Sequence, residues 1–440
     1  MPSLGAATYY QRSSMKAAIV TFGCKVNQYE SDALTQMLTQ AGYKPAAPED
    51  SDLVIINTCT VTERADTEVL KTIRRLKRRN PGVLIIGTGC LAQAHPELLA
   101  GTADLVLGQK EKEQLTNFLS IPRGSVRVSK PNGTFGDLGE APPARTRAFY
   151  KIQDGCDGRC AYCTVPLARG RSRSQARDRV LAGIAAYLNQ GIKEVVLTGI
   201  HLGRWGADLE PADDLSRLLA EINLYFGPAL AGARLRLSSL EPPELGLAAE
   251  AFKTMPWLAP HLHTPFQSGS DRILTAMGRP YQIAKAEAAA KSIKVAVQDL
   301  NLGTDILVGF PGETNDDFAA TLDLVNRLDF GYLHVFPFSA RPGTRAAQLD
   351  EPIPWSVKKA RVAALRTIGA KKKADFLASQ LGRPRQALVE NTLFKGRPKV
   401  LTDNYISALL PASACVQAGE LVEVMLLPPK TPQGLAEAKL

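Results

Sequence analysis

The chain of 440 residues has no apolar run that approaches the roughly 18 residues needed to span a bilayer. Its start, MPSLGAATYYQRSSMK, lacks the apolar centre of a signal peptide. We therefore expect a cytoplasmic protein without a membrane segment. An odd number of cysteines, seven, in a reducing compartment argues against a disulfide framework. Metal binding or catalysis becomes the leading explanation for the thiols.

Composition and charge are those of a globular, mildly basic protein. Apolar residues make up 45% and charged residues 22%, and the length favours about three domains. The formal net charge of +10 makes an anionic partner such as a nucleic acid plausible. Many globular proteins are equally basic without such a partner, so charge alone does not decide between the two.

Three apolar runs near the start, AAIVTF, LVIIN and VLIIGTG, alternate with helical patterns. This alternation predicts buried parallel strands in a small α/β domain over residues 15–120, after a disordered polar tail at residues 1–14. Cys24, Cys59 and Cys90 each follow one of the runs. Because loops that leave parallel strands emerge at one edge of the sheet, we expect these three thiols to converge there.

A second strand and helix series follows a Gly- and Pro-rich segment, residues 121–147, which reads as a linker. Its six runs, AFYKIQ, EVVLTG, LRLSSL, HLHTPF, LGTDILVGF and YLHVFPF, predict a partial (β/α)6 barrel over residues 148–375. Residues 376–440 read as a small all-β barrel, in which Cys415 is expected to be a structural thiol. The predicted fold class is therefore α/β with a C-terminal all-β barrel.

The stretch DGCDGRCAYC places Cys156, Cys160 and Cys163 just after the first strand of the second series. Structural zinc prefers four protein ligands in two close pairs, and no histidine lies near this stretch. A 4Fe–4S cluster accepts three thiolates and leaves one iron open. The spacing C-x3-C-x2-C, with Tyr162 before the last cysteine, resembles the signature of radical S-adenosylmethionine enzymes.

Two sets of three cysteines in adjoining domains resemble the methylthiotransferases of that superfamily, and the likeness covers the chain from Met15 onward. The resemblance implies that Cys156, Cys160 and Cys163 hold the radical-generating 4Fe–4S cluster. It implies that Cys24, Cys59 and Cys90 hold an auxiliary 4Fe–4S cluster that carries sulfur. The C-terminal barrel would be the RNA-binding module called TRAM.

Two motifs, FGCKVNQYESD and NTCTVTERAD, look like the branch that acts on N6-threonylcarbamoyladenosine at position 37 of tRNA. The resemblance implies that one S-adenosylmethionine methylates the carried sulfur, and that a second yields the radical that activates carbon 2 of the adenine. It also implies an electron donor such as flavodoxin or ferredoxin, and a sulfur source. The alternatives are isopentenyladenosine in tRNA, a ribosomal protein side chain, and a non-catalytic RNA-binding protein with structural metal sites.

Further family-like stretches follow the predicted barrel strands and give candidate contacts. Candidates for the S-adenosylmethionine pocket are Tyr162, Gly199, Glu241, Gln267, Ser268, Asp305, Gly309, Glu313 and Phe338. Candidates for binding the tRNA anticodon loop are Arg383, Arg385, Lys395 and Arg397. A basic run from Arg74 to Arg79 could also contact RNA, or could be the solvated C-terminal end of a helix. No residue is predicted to act as a catalytic acid or base.

Overall fold

The computed structural model describes residues 15–131, 133–227, 230, 232–350, 352–431 and 434–440. The tail predicted at residues 1–14 lies outside these ranges. The chain folds as two compact units. The first comprises the residues up to 143 together with 154–158 and 163–173, and the second comprises 144–153, 159–162 and 174–440. None of the helices in the described ranges has the length and apolar character required to cross a membrane.

The first unit is built on a parallel sheet with the strand order β2-β1-β3-β4-β5-β6. The strands are β1 (Lys16–Thr21), β2 (Lys44–Pro45), β3 (Leu53–Thr58), β4 (Leu84–Gly89), β5 (Leu105–Leu107) and β6 (Ser125–Arg127). The helices are α1 (Lys25–Gln40), α2 (Glu63–Arg79), α3 (Cys90–Ala94), α4 (Gln109–Lys112) and α5 (Val165–Arg169). Short 3-10 turns lie at Pro48–Asp50, Pro96–Leu98 and Leu115–Phe118.

Strand β3 shows why the apolar runs form the centre of this sheet. All six of its residues are buried. Val54 and Ile56 pack with Val69 of α2 on one face. Leu53 and Ile55 pack with Leu34 of α1 on the other face. A strand covered by helices on both faces needs a continuous apolar sequence, and the prediction of parallel strands in an α/β domain is confirmed.

The second unit contains the predicted barrel series. Its strands are β7 (Ala148–Asp154), β8 (Arg173–Ser174), β9 (Glu194–Gly199), β10 (Arg234–Leu237), β11 (His261–Gln267), β12 (Asn301–Val308) and β13 (Tyr332–Pro337). They pair in the orders β10-β9-β7-β8 and β11-β12-β13. A parallel bridge between Ser239 and His263 links the β10 side to β11. The six long strands thus form an open (β/α) series, as predicted.

Helices follow the strands of this series. They are α6 (Arg177–Asn189), α7 (Leu215–Phe226), α8 (Ala249–Thr254), α9 (Asp271–Met277), α10 (Ile283–Ala296), α11 (Asn315–Arg327) and α12 (Trp355–Gln380), with 3-10 turns at Leu202–Arg204, Pro242–Ala248 and Arg345–Gln348. The Thr314 hydroxyl accepts a hydrogen bond from the Asp317 backbone nitrogen, and the Asp317 carboxylate accepts one from the Thr314 backbone nitrogen. This capping box fixes the helix start directly after the DILVGFPGET stretch.

The C-terminal residues form a closed antiparallel and parallel barrel in the order β14-β15-β16-β18-β17. Its strands are β14 (Pro384–Phe394), β15 (Arg397–Thr402), β16 (Ser407–Leu409), β17 (Leu421–Leu427) and β18 (Ala436–Lys439). Val389, Val400 and Leu426 are among the buried residues of its core. Closure leaves no free sheet edge, and the predicted small all-β barrel is confirmed.

The turn between β15 and β16 contacts the amino ends of the β11, β12 and β13 strands. The ring of Tyr405 stacks on His261, with centroids 4.1 Å apart and planes 22° apart. Asn301 at the start of β12 donates its side-chain amide to the Asn404 carbonyl at 2.8 Å. The small barrel therefore closes the end of the strand series opposite to the carboxyl-terminal loops.

Two buried arginines of β10 add to this junction. Arg234 donates to the Leu401 carbonyl at 2.9 Å, and Arg236 donates to the Asp403 carbonyl at 2.8 Å. Glu194 of β9 pairs with both guanidinium groups, at 2.6 and 2.8 Å. Burial alone would raise the pKa of Glu194, but Arg234 and Arg236 outweigh it and hold that pKa well below its usual range.

The structure differs from the predicted organisation at two boundaries. Ser125–Arg127, inside the predicted linker, forms strand β6 at the edge of the first sheet and pairs with β5. This strand has only three residues and is flanked by Gly and Pro, so the sequence shows no strand periodicity there. Helix α12 runs through the predicted boundary at residue 375 and ends at Gln380, because no glycine or proline interrupts the chain between Gly369 and Gly382.

Candidate active site

The three N-terminal cysteines lie at strand-to-helix turns of the first sheet. Cys24 is the N-cap residue of α1, Cys90 is the first residue of α3, and Cys59 follows β3. These turns are all at the carboxyl edge of the parallel sheet. Cys24 is exposed, Cys59 is buried and Cys90 is intermediate, and none of them forms a disulfide. The predicted convergence of strand ends thus brings the three thiols to one edge.

Two glycines make room for these cysteines. Gly23 has φ +98°, and a Cβ at this position would lie 2.9 Å from the sulfur of Cys59. Gly89, directly before Cys90, has φ +92°, and a Cβ there would lie 2.6 Å from the backbone nitrogen and oxygen of Thr58. Any side chain at either position would displace a cysteine loop, in addition to the strain of a positive φ.

Hydrogen bonds tie the cysteine loops together. The Asn27 amide donates to the carbonyls of Phe22 and Thr58 at 2.7 and 3.0 Å. These carbonyls belong to the residues just before the Gly23–Cys24 turn and just before Cys59. The Thr58 hydroxyl accepts from the backbone nitrogens of Leu91 and Ala92 at 3.1 and 3.3 Å, which fixes the start of α3 after Cys90. The three loops are therefore held as one group.

The electrostatic surroundings fit an anionic cluster. Burial raises the pKa of the Cys59 thiol to about 12, and the neighbouring Cys90 and Cys24 add to this shift. Burial also raises the pKa of Cys90, while the positive charge of Arg169 opposes that increase. Three thiols that repel one another as thiolates need a cation or metal cluster to hold them charged. A set of three thiolates fits an iron–sulfur cluster, which can leave one iron without a protein ligand, better than it fits structural zinc, which takes four protein ligands.

A buried network of ion pairs lies beneath these thiols. Glu30 of α1 accepts from Lys112 at 2.7 Å and from Arg169 at 2.9 Å. Lys112 also donates to the Gln109 side chain at 2.5 Å, and the Gln109 amide lies 3.8 Å from the sulfur of Cys90. Arg169 donates to the Asn27 side-chain oxygen at 2.6 Å and to Asp154 at 3.0 Å. The network connects all three cysteine loops with Asp154, which belongs to the same unit.

The two segments that contain Cys156 and Cys163, residues 154–158 and 163–173, also belong to the first unit. The Cys156 backbone nitrogen donates to the Gly170 carbonyl at 3.0 Å. The Gly158 nitrogen lies 3.2 Å from the Cys156 sulfur, and the Val165 nitrogen lies 3.4 Å from the Cys163 sulfur. Backbone N–H groups directed at sulfur stabilise thiolate ligands and tune the potential of iron–sulfur clusters.

Cys160 belongs to the second unit. Its neighbour Ala161 donates to the Met277 carbonyl at 2.7 Å, which attaches the loop to the end of α9. Arg279 donates to the Cys160 sulfur at 3.3 Å and also pairs with Glu241. The predicted pocket residue Glu241 is thus connected to a predicted cluster ligand through one guanidinium group.

The remaining candidates for the cofactor pocket, apart from Asp305, fall into four groups. Tyr162 and Phe338 lie in one apolar cluster with Phe310. Gln267 has φ +67° beside a register shift in β11, and the Ser268 hydroxyl accepts from the Ser270 nitrogen. Glu313 is buried, accepts from the Gly309 nitrogen at 2.7 Å and pairs with Arg361. Gly199 ends β9 against Gln153. The assignment of these residues to S-adenosylmethionine stays a prediction.

Asp305 lies between two histidines on neighbouring strands. Its carboxylate is 3.0 Å from Nε2 of His263 and 3.3 Å from Nδ1 of His334. Burial alone would raise the pKa of Asp305, but hydrogen bonds with the two histidines hold it well below its usual range. Nδ1 of His263 lies 3.2 Å from the Tyr332 hydroxyl. The ligand atoms of the trio lie within 4.8 Å of one another, close enough to bind a divalent cation or a polar ligand.

This trio lies on the concave face of the strand series. Leu333 packs toward Gly369 of α12, so its neighbours on β13 point to the opposite face. On that face the Tyr332 ring covers Gly303 of β12. His334 is 56% exposed and Phe336 is 41% exposed, although both lie inside the strand series. An imidazole and a phenyl ring are therefore available to a ligand on this face.

The predicted RNA contacts differ in accessibility. Lys395 is exposed in the turn between β14 and β15 and lies 5.7 Å from the centre of the Phe394 ring. Arg383 is half exposed and pairs with Asp299 at 3.0 Å. Arg385 and Arg397 form ion pairs at 2.5 Å, with Asp299 and Glu437 respectively. Cys415, predicted to be a structural thiol, is exposed and forms no disulfide.

Comparison with known proteins agrees with this geometry. Residues 16–108 match the family model described as Uncharacterized protein family UPF0004, and residues 150–325 match the Radical SAM superfamily. The threonylcarbamoyladenosine tRNA methylthiotransferase MtaB of Thermotoga maritima is 37% identical over 391 residues, which are 86% of this chain and 87% of the relative. The chain belongs to the radical S-adenosylmethionine methylthiotransferase family.

Two further proteins show the breadth of the likeness. The tRNA-2-methylthio-N(6)-dimethylallyladenosine synthase of Aromatoleum aromaticum is 34% identical over 397 residues, or 85% of this chain and 87% of the relative. The radical S-adenosylmethionine methyltransferase TsrM of Kitasatospora setae has a TM-score of 0.55 at 18% identity, covering 76% of this chain and 77% of its own. The second likeness concerns the fold alone.

Membership makes this chain an enzyme of the radical tRNA methylthiotransferase type. Its cofactors are S-adenosylmethionine and 4Fe–4S clusters, of which methylthiotransferases carry two. The free cysteines at the sheet edge, the N–H groups directed at sulfur and the buried cations beneath the thiols fit such clusters. The role of each individual cysteine in this methylthiotransferase remains a prediction.

Several residues of the site were missed by sequence reasoning. Glu30 and Arg169 lie 139 residues apart, so their pairing has no local signal. Arg279 stands in MGRPY, a stretch that had no assigned role. His263 and His334 could have been suspected, because both occur inside predicted strands, HLHTPF and YLHVFPF, where polar side chains need a partner. The family stretches alone do not show which of their side chains meet.

Proposed function

We propose that this enzyme methylthiolates carbon 2 of N6-threonylcarbamoyladenosine at position 37 of tRNA. It would use one S-adenosylmethionine as methyl donor and a second as radical source, with sulfur carried on the cluster held by Cys24, Cys59 and Cys90. Cys156, Cys160 and Cys163 would hold the other cluster. When bound, these groups supply the one-electron chemistry that no side chain can perform at an sp2 carbon.

The polar concave face is the observation that carries the choice of substrate. The threonylcarbamoyl group has a carboxylate, a hydroxyl and a urea, whereas the isopentenyl group is apolar. His263, Asp305 and His334 offer donors and an acceptor on the face where His334 is exposed. A face built for hydrogen bonds discriminates against an apolar substituent, since its polar groups would lose water without gaining partners.

The concave face also suits an RNA base that is unstacked from its neighbours. Phe336 presents an exposed ring toward the carboxyl end of β13, where the loops of a (β/α) series bind ligands. Single-stranded RNA loops are recognised by splaying out a base and stacking it on such rings. In this proposal Phe336 stacks on the target adenine and the His334 ring bonds to its N6 substituent.

The remaining partners follow from the reaction and from charge. The tRNA anticodon loop is proposed to contact the C-terminal barrel through Lys395 and the adjacent Phe394 ring, a cation and an aromatic group that suit phosphate and base. Reduction of the cluster requires an electron donor of the flavodoxin or ferredoxin kind. A sulfur source must restore the auxiliary cluster after each turnover. A tRNA substrate supports a cytoplasmic location, which is part of the proposal.

The test compares tRNA nucleosides by mass spectrometry in cells with and without the gene. We expect loss of the 2-methylthio form of N6-threonylcarbamoyladenosine, with its unmethylthiolated precursor accumulating. Loss of the methylthio form of isopentenyladenosine would instead refute the proposed substrate. Complementation with His334→Leu should restore about a tenth or less of the product, the effect of losing one hydrogen bond to a charged group. Full restoration by this variant would remove His334 from substrate binding.

A further inference from the structure

Arg169 occupies a central position in the buried network of the first unit. It is 1% exposed and ends the short helix α5, six residues after Cys163. Its guanidinium donates to both oxygens of Glu30, at 2.9 and 3.2 Å, and to both oxygens of Asp154, at 3.0 and 3.2 Å. A fifth bond, of 2.6 Å, goes to the side-chain oxygen of Asn27.

These partners lie close to cysteines of both sets. Asn27 holds the carbonyls that precede Cys24 and Cys59, as described above, and Glu30 lies one turn further along α1. Asp154 ends β7, two residues before Cys156, and its carboxylate accepts from the Gly155 nitrogen at 2.8 Å. One side chain therefore contacts both the residues that shape the auxiliary cysteine loops and the residues that lead into the radical cysteine loop.

We propose that Arg169 is a positioning residue for sulfur transfer. Its planar fork fixes the loop that carries Cys156 against the loops that carry Cys24 and Cys59, and its charge balances the anionic auxiliary cluster. The inference rests on the proposed function in one respect, namely that both cysteine sets hold clusters. It adds a role for a residue that is neither a cluster ligand nor a predicted cofactor contact.

The charges in the network support this role. Glu30 and Asp154 are buried carboxylates, and the buried cations Lys112 and Arg169 are bonded to them. The less buried Arg173 also lies 3.7 Å from Asp154. Burial alone would lower the pKa of Arg169, but Asp154 and Glu30 outweigh it, so the guanidinium stays charged. A cation that only neutralised these carboxylates could be a lysine. Contacts with two carboxylates and with the Asn27 oxygen, made by Nη1 and Nη2 together, suit the fixed fork of arginine.

The ordinary alternative is a buried ion pair that stabilises the fold and nothing more. Such a role predicts that a variant which folds and binds its iron will work normally. A positioning role predicts a defect that remains in the folded, fully loaded enzyme. The two are separated by measuring the fate of the radical, because misplacement on the order of 1 Å costs about a hundredfold in rate without preventing the preceding step.

The experiment uses reconstituted full-length enzyme with Arg169→Lys, Arg169→Met and the control Arg171→Met. Arg171 is two residues further along and its side chain is 90% exposed, so its removal leaves the network intact. For each variant, iron content, 5'-deoxyadenosine and methylthiolated tRNA are measured, together with the midpoint potential of the auxiliary cluster by electron paramagnetic resonance. The potential is read in a Cys156→Ala, Cys160→Ala, Cys163→Ala background.

We expect Arg169→Lys to keep its iron and its potential, and to make at least about tenfold less methylthiolated product per 5'-deoxyadenosine than the wild type. Arg169→Met should in addition lower the midpoint potential of the auxiliary cluster, because loss of a nearby positive charge disfavours reduction. The control should match the wild type.

A wild-type product ratio in iron-loaded Arg169→Lys would overturn the positioning role, and an unchanged potential in Arg169→Met would overturn the charge role. If Arg169→Met does not fold, the lysine variant still decides the first point, and Arg169→Gln replaces it for the second. Failure of the proposed function would look different, since wild-type enzyme would then form no methylthiolated tRNA while the potential shift would still be measurable.

Discussion

The six cysteines proposed as cluster ligands differ most in what surrounds them. Cys59 is buried and its thiol has a strongly raised pKa, whereas Cys24 is exposed at a helix N-cap. Cys160 lies against Arg279, which donates to its sulfur. Chemistry at the two sets is therefore expected to respond differently to single substitutions, although both sets consist of the same residue type.

At the scale of the residue, substitution should separate the two steps of the reaction. Cys160→Ala removes a proposed ligand of the radical cluster, so we expect no 5'-deoxyadenosine above background. Cys59→Ala leaves that cluster in place, so we expect 5'-deoxyadenosine to form and methylthiolated tRNA to be lost. Liquid chromatography with mass spectrometry measures both products. Normal yields of methylthiolated tRNA from the Cys59 variant would show that the auxiliary set has another role.

Sequence reasoning identified these cysteines because spacing is a local property. Cys156, Cys160 and Cys163 fall within eight residues, and each N-terminal cysteine follows an apolar run. The ion pair between Glu30 and Arg169 could not be predicted, because a charged residue considered alone is expected to lie at the solvated surface. Burial of charge becomes visible only when the fold brings its partners together.

At the scale of the element, Glu194 and the arginines of β10 form the polar contacts between the small barrel and the strand series. Glu194 is buried and pairs with Arg234 and Arg236, which in turn bond to carbonyls of β15 and the turn after it. The pKa of Glu194 is lowered, so its contribution to stability is present above the usual pKa of a glutamate and is lost as the pH falls toward the lowered value.

We expect Glu194→Ala to destabilise the second unit by about 3–5 kcal/mol, because it leaves two buried guanidinium groups without their carboxylate. The control Glu250→Ala removes an exposed carboxylate paired with Lys253 and should change stability by about 0.5 kcal/mol or less. Chemical denaturation followed by tryptophan fluorescence measures both, with Trp205 buried in this unit as reporter. Equal stabilities of the two variants would show that the junction does not depend on Glu194.

The strands themselves were largely predictable, and the exceptions have physical reasons. Strands β3 and β12 are long and apolar enough to show their character locally. Strand β6 has three residues and depends on pairing with β5, so its strand form is imposed by the sheet. The stacking of Tyr405 on His261 joins residues 144 positions apart in the sequence. Sequence periodicity is a local property and does not predict such a contact.

At the scale of the whole molecule, a cysteine-bearing α/β sheet, an open (β/α) series and a closed β-barrel occur in one chain. The order of these parts followed from composition shifts and strand periodicity. The network beneath the N-terminal thiols and the polar concave face did not, since both depend on side chains that meet only in the folded chain. The central claim is that this one chain holds two iron–sulfur clusters on six cysteines.

The most direct test is the iron and acid-labile sulfide content of protein reconstituted without oxygen. We predict about eight irons per wild-type chain, and about four in a chain with Cys24→Ala, Cys59→Ala and Cys90→Ala that still cleaves S-adenosylmethionine. A wild-type chain that binds about four irons, unchanged by those three substitutions, would contradict the account.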